Sequence, residues 1–279
     1  MENKHTDEEE REKIEIGLLL EGIYRYYGFD FRNYAYSSLR RRIWHRVYSE
    51  KLQTISGLQE KALHDRACLD RLLSDLSISV TEMFRDPGMF LKFREEIVPV
   101  LRNYPYIRIW HAGCSTGEEV YSMAILLQEE GLYDRTRIYA TDMNQASLEK
   151  AKAGVYPLEK MKQYTQNYIE AGGKQSFSSY YTAKYNSVIF DPSLKKNMIF
   201  AEHNLVTDRS FNEFQVILCR NVLIYFNKEL QDRVHKLFYE SLSPNGFLAL
   251  GSKESIHFTS YADCYQVISD RENLYMKFT

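Results

Sequence analysis

The stretch "HAGCSTGEEVYSMA" sets two carboxylates, Glu118 and Glu119, immediately after the glycine pair Gly113 and Gly117. A glycine loop between an apolar strand and a helix lets backbone close around a ligand at a helix N-terminus, where anions are normally favoured. A phosphate-binding P-loop would place lysine after the last glycine; here that position is Glu118. The dinucleotide fingerprint Gly-x-Gly-x-x-Gly is not present either, because the spacing is Gly-x-x-x-Gly. Two carboxylates repel a pyrophosphate and attract a cation. S-adenosyl-L-methionine (SAM), with a sulfonium, an ammonium and no phosphate, fits such a loop. Asp142, closing "RIYATD", stands where an acid can take ribose hydroxyls at the end of a second strand. The competing reading is that Glu118 and Glu119 only complement the helix dipole.

Other polar residues fall near the same strand ends. In "SVTEMFRDP", Thr81 and Arg85 are four apart and would share a face of a helical turn. Asn204 in "EHNL" and Asn221 in "CRNVLIYF" each follow an apolar run. An amide there can both donate to and accept from an adenine edge, or simply close a turn. Tyr225, four residues after Asn221, is placed for the same crevice. His111 and His203 also stand beside strand ends.

These residues need a sheet to position them. "IRIWHAG", "RIYATD", "MIFAEHNL", "FQVILCRN", "FLALG" and "NLYMKF" read as strands, with helices over "EEVYSMAILLQEE", "NQASLEKAKAG" and "KELQDRVHKLFYESL". Alternating strands and helices predict an α/β fold with a mostly parallel doubly wound sheet, ending in an antiparallel edge. The first hundred residues instead read as helices. One begins at Ser37 or Ser38 as cap, with Leu39, Ile43 and Val47 inward and Arg40, Arg41, Arg42 and Arg46 largely outward. Asp86 is expected to cap a helix that Pro87 opens. "RNYPY" breaks the pattern, giving a helical domain plus linker over 1–103, with "SVTEMFRDP" in the linker, and a sheet domain over 104–279, with a small β insertion at about 172–197.

The totals narrow the class. The 279 residues are 44% hydrophobic and 27% charged with net charge −2, ordinary for a globular protein and without the global basic field of a nucleic-acid binder. Cys68, Cys114, Cys219 and Cys264 form no Cys-x-x-Cys pair, so free thiols are expected and no metal site. The charged start "MENKHTDEEEREK" does not read as a signal peptide, and no apolar run reaches the length of a membrane span. A cytoplasmic monomer without membrane insertion is expected.

Taken in order over nearly the whole chain, "SVTEMFRDP", "GCSTGEEVYSMA", "ATDMN", "HNL" and "CRNVLIYF" resemble the CheR family of chemoreceptor glutamate O-methyltransferases. The resemblance implies a Rossmann-like SAM-binding sheet, an all-helical N-terminal domain and a small inserted antiparallel β-subdomain. It implies methylation of receptor glutamates to methyl esters, with S-adenosyl-L-homocysteine as product. Residue by residue, the family pattern Asn-x-Thr-x-Phe-Phe-Arg falls on Ser79, Thr81 and Arg85, with Ser79 replacing Asn and Met83 replacing a Phe. Donor contacts fall on Glu118 or Glu119, on Asp142, on Asn204 with Leu205, and on Asn221 with Val222. Tyr225 matches an active-site tyrosine, so Arg85 and Tyr225 are the catalytic residues the resemblance implies. Arg40, Arg41, Arg42 and Arg46 match a basic helix facing the cytoplasmic helical bundle of a receptor, and the β-subdomain is where some members hold a receptor C-terminal tethering peptide. Two alternatives stay open: a carboxyl methyltransferase for a non-receptor protein or small acid, and a non-catalytic SAM-binding scaffold or sensor. Nucleic-acid methylation is disfavoured, because "CRNVLIYF" stands where an Asp/Asn-Pro-Pro-aromatic signature would be.

Overall fold

A computed structural model describes residues 2–77, 81–257 and 259–278, with side chains from Asp7 onward. Two compact units form, Met1–Ile78 with Tyr225–Gln231 and Ser79–Ile224 with Asp232–Thr279. The division falls at 78/79, ahead of the expected 103/104. Residues between those points share the core of the second unit: Phe90, Phe93, Ile97 and Leu101 are buried in one cluster with Ile107, Ile125 and Ile138.

The helical unit holds α1 (Glu2–Tyr27), α2 (Tyr36–Ser49), α3 (Ile55–His64) and α4 (Arg66–Leu76). Thr54 caps α3 by accepting from Gly57 N, and Asp65 caps α4 by accepting from Ala67 N. α2 starts at Tyr36 with Ala35 before it and no side-chain cap, not at the expected serines. Leu39, Ile43 and Val47 are buried as their spacing requires. Arg42 is buried too, contrary to the expected outward placement. It lies three residues after Leu39, on the same face, and its Nη1 donates to Leu76 O at 2.9 Å. Within this unit Asn227 Oδ1 accepts from Leu230 N at 2.9 Å, capping α10 (Lys228–Ser241).

In the second unit, α5 (Pro87–Lys92) continues through a π turn at Phe93–Ile97 into α6 (Val98–Leu101). Then come β1 (Ile107–Ala112), α7 (Glu118–Glu129), β2 (Thr136–Asp142), α8 (Gln145–Ala153), β3 (Val155–Pro157), α9 (Met161–Glu170), β4 (Tyr181–Lys184), β5 (Ser187–Phe190), β6 (Met198–Glu202), β7 (Phe214–Cys219), β8 (Leu242–Leu250), β9 (Tyr265–Ser269) and β10 (Leu274–Lys277). The large sheet runs β6-β2-β1-β7-β8-β10-β9. Its first five strands pair in parallel, and β10 and β9 add an antiparallel edge. β9 lies outside the strands expected from sequence.

β1 has β2 on one side and β7 on the other, so the chain reverses its winding there and leaves a crevice past the strand ends. The small sheet, β3-β5-β4, is antiparallel and begins at Val155, earlier than the expected 172. Three residues are too few to show a strand period, yet Val155 to Pro157 pair with Ser187 to Ile189. Among the described residues no helix is long and apolar enough to cross a membrane.

Candidate functional site

The loop from β1 into α7 is built on backbone that only glycine tolerates at two points. Gly113 has φ +79, and a Cβ there would stand 2.6 Å from Val222 Cγ2. Gly117 has φ +91, and a Cβ would stand 2.8 Å from Ala151 Cβ. The first approach joins the loop after β1 to the loop after β7, across the crevice at the reversal. The N–H groups of Gly113 and Cys114 both donate to Thr141 O at 2.8 Å, which ties the loop to the end of β2.

Asp142 belongs to the same cluster. Its Oδ2 accepts from Ser115 N and its Oδ1 from Asn144 N, both at 2.8 Å. Burial pushes its carboxyl up from the ordinary value, against the backbone donors that favour ionisation. With Met143 N as a third backbone donor, the roughly four acceptor positions of the carboxylate are not all used. The neighbouring His203 N donates to Asp142 O at 3.2 Å, bringing the Asn204–Leu205 segment to the same strand end. Asn204 Oδ1 accepts from Val206 N at 2.9 Å, so the turn-closing role is real and its amide NH₂ is what can face a base.

Glu118 and Glu119 part ways. Glu119 is ion-paired: Oε1 lies 3.0 Å from His111 Nδ1 and Oε2 accepts from Arg220 Nη1 at 2.7 Å. Burial would raise its carboxyl, but Arg220 and His111 outweigh it and hold it at about 2. An ionised carboxylate only accepts, so His111 carries its hydrogen on Nδ1. Glu118 is buried, accepts from Thr116 Oγ1 at 2.6 Å, and has no cation within ion-pair distance among the described residues. Burial pushes its carboxyl up, partly opposed by the Thr116 hydrogen bond and, more weakly, by the charge of Lys160. A buried acid in that condition gains from a cation beside it.

Thr81 and Arg85 are not on a helical turn. Residues 83–86 form a turn in which Phe84 (φ +51) and Asp86 (φ +55) are both left-handed. Tertiary partners impose it. Asn167 Nδ2 donates to Met83 O at 2.9 Å, Phe84 N donates to Ser122 Oγ at 2.8 Å, and Arg220 Nη2 donates to Arg85 O at 3.0 Å. Met83 and Phe84 are fully buried, so Met83 serves packing. Asp86 makes no capping bond; its carboxylate accepts from Arg220 Nη2 at 2.7 Å while Pro87 opens α5. Ser79 lies outside the described residues.

Asn221 is left-handed (φ +61), and its buried Oδ1 has no partner among the described atoms. Val222 packs on Gly113. Tyr225 belongs to the helical unit, where its carbonyl accepts from Ala35 N at 2.7 Å and Arg42 stands 5.0 Å from its ring centroid. In the same unit Arg40 pairs with Glu12, Arg46 with Asp75 and Glu50, and exposed Arg41 joins Arg40, Trp44, His45 and Tyr48 in lining a groove.

The structure therefore brings Gly113 against Val222, ties the Gly113–Gly117 loop to Asp142, and ties Asp142 to the segment that carries Asn204. Close glycine clearances, two buried carboxylates with raised pKa and an unpartnered amide oxygen are compatible with a cationic, hydroxyl-bearing ligand such as SAM. Arg220, Ser122 and Asn167 were not expected from sequence. Arg220 stands inside a quoted motif and could have been noticed as a charge ending an apolar strand.

Residues 79–272 match the family described as "CheR methyltransferase, SAM binding domain", and residues 14–77 match "CheR methyltransferase, all-alpha domain". A protein of Pseudomonas putida that carries the name methyltransferase Cher3 is 54% identical over 264 residues, 95% of this chain and 97% of that one. A chemotaxis protein methyltransferase of Listeria monocytogenes is 29% identical over 82% of this chain and 85% of its own length. Chemotaxis protein methyltransferase 1 of Pseudomonas aeruginosa is 27% identical over 78% and 80%.

Proposed function

Since the chain belongs to the CheR methyltransferase family, we propose that this SAM-dependent methyltransferase esterifies glutamate side chains on chemoreceptors. When bound, SAM supplies an electrophilic sulfonium methyl, whose transfer to a carboxylate oxygen leaves a methyl ester and S-adenosyl-L-homocysteine. The observation that carries the reading is Glu118, a buried acid just past Gly117 with no cation within ion-pair distance among the described residues, where Lys160 acts on it only from further off. The chemotaxis names of the Listeria and Pseudomonas aeruginosa relatives support a receptor as acceptor.

In this reading Glu118, not Glu119, takes the donor's ammonium, because Glu119 is already paired on both oxygens. Asp142 accepts from the ribose hydroxyls. Asn204 with Leu205 and Asn221 with Val222 hold the adenine, and Gly113 and Gly117 permit close approach. Thr81 and Arg85 bound the methyl end. A glutamate acceptor is already ionised near neutral pH, so the residues here have no proton to remove. Their task is alignment, worth about 7–11 kcal/mol when well executed. Arg85 orients the acceptor, a task for which the family resemblance also names Tyr225. Holding it more tightly in the ground state than in the transition state would lower the rate, since its charge fades as the new bond forms.

The exposed Arg40 and Arg41, with Arg46, receive an acidic receptor surface, and β4, an edge strand of the small sheet, offers backbone to a receptor C-terminal tethering peptide. Incubation with tritiated SAM and receptor fragments tests the reading. Label released as methanol by mild base supports a carboxyl ester. Base-stable label, or none, sinks it.

A further inference from the structure

Glu254 lies just after β8 and is buried, with no cation within ion-pair distance among the described residues. Its carboxylate is instead ringed by backbone. Oε2 accepts from Asn221 N at 2.9 Å and Gly251 N at 2.6 Å; Oε1 accepts from Val222 N at 2.8 Å and Ile224 N at 3.3 Å. Four oriented N–H dipoles favour the ionised carboxylate and oppose, without cancelling, the burial that pushes its carboxyl up. We infer that Glu254 is a positioning residue of the donor site, acting through the Asn221–Ile224 loop; the inference rests on assigning Asn221 and Val222 to the adenosine.

The loop needs such a holder. Asn221 sits at φ +61, left-handed backbone that asparagine adopts more readily than other non-glycine residues and that the Glu254 bonds to its own and the next residue's N–H groups hold in one orientation. With the N–H groups of Asn221, Val222 and Ile224 all taken by Glu254, the loop has side chains and carbonyls left for a ligand. Those side chains are the unpartnered Asn221 amide oxygen and the Val222 methyls packed on Gly113. Gly251 completes the arrangement, since a Cβ there would stand 2.7 Å from Asn221 N and 2.9 Å from Asn221 Nδ2. Glutamine cannot substitute. Each oxygen of Glu254 receives two N–H donors, so an amide NH₂ faces two donors whichever way it is turned.

Calorimetry on the full chain with S-adenosyl-L-homocysteine and with 5′-methylthioadenosine, the adenosine half alone, tests this. Glu254→Gln is expected to weaken both by about tenfold or more, Asn221→Ala to weaken both, and Glu254→Asp to recover part of the loss. If Asn221→Ala binds both ligands as the parent does, the assignment of the loop to adenosine is wrong. If Asn221→Ala weakens binding and Glu254→Gln only lowers thermal stability, the positioning role is wrong. Should Glu254→Gln fail to fold, hydrogen exchange on the parent decides. Slow exchange at the amides of 221, 222, 224 and 251 without ligand supports the role, and exchange as fast as an open loop overturns it.

Discussion

Arg220 and Glu119 meet at 2.7 Å, and the second terminal nitrogen of that guanidinium reaches both Asp86, at 2.7 Å, and the carbonyl of Arg85, at 3.0 Å. One buried cation thus joins the end of β7, the first turn of α7 and the left-handed turn that carries Arg85. The arrangement explains why Glu119 is spoken for while its neighbour Glu118 is not.

Arg220→Met should destabilise the protein by about 3–5 kcal/mol, because it leaves the Glu119 carboxylate buried without its cation. Urea unfolding measures this. Adding Glu119→Gln to the same chain should recover a large part of the loss, since the stranded charge is then gone. A single variant as stable as the parent would contradict the ion-pair account.

Glu118 gives a pH dependence of definite sign. Burial raises its carboxyl above the ordinary 4.5, so in the free protein the neutral form persists to higher pH than for an exposed glutamate. A cationic donor prefers the ionised form. SAM affinity should therefore fall as pH is lowered through a window above 4.5, and rise to a plateau on the alkaline side. Glu118→Gln should bind about tenfold more weakly on that plateau and show a shallower slope. The same slope in parent and variant would assign the titration elsewhere, with Asp142 the next acid to test.

Gly113 tests the crevice itself. Alanine there meets two separate costs: about 1–2 kcal/mol for a side chain at positive φ, and a Cβ 2.6 Å from Val222 Cγ2. Binding of S-adenosyl-L-homocysteine by Gly113→Ala should be severely weakened. Gly113→Ala with Val222→Ala should regain the steric part but not the backbone part. Full recovery in the double variant would mean that the backbone conformation is not required.

What the sequence revealed follows from how locally each feature is determined. The strands β1, β2, β6 and β7 and the helices α7, α8 and α10 announce themselves by period, and the glycine loop by composition. Asp142 is legible because the end of a strand fixes where its side chain can go. The turn at 83–86 is not legible, because Phe84 and Asp86 take left-handed backbone only under the grip of Ser122, Asn167 and Arg220, which come from distant elements. Glu254 is hidden for the same reason: it stands 33 residues from the Asn221 amide it binds. β3 is too short to carry a pattern, and only its pairing with β5 defines it.

The arginines of α2 show how one helix face can mislead, and they separate binding from folding. Arg41 is exposed and lines the groove with Trp44 and Tyr48, whereas Arg42, one residue on, is turned inward to Leu76 O at 2.9 Å and lies 5.0 Å from the Tyr225 ring centroid. Arg41→Ala should leave stability within about 0.5 kcal/mol of the parent while weakening capture of an acidic receptor fragment, an effect that shrinks as salt is added. Arg42→Ala should cost about 1–3 kcal/mol of stability by stranding the Leu76 carbonyl. Urea unfolding and calorimetric titration with the fragment, run on both variants, separate the two roles. Equal stability losses from Arg41 and Arg42 would show that the burial difference between them does not govern their energetics.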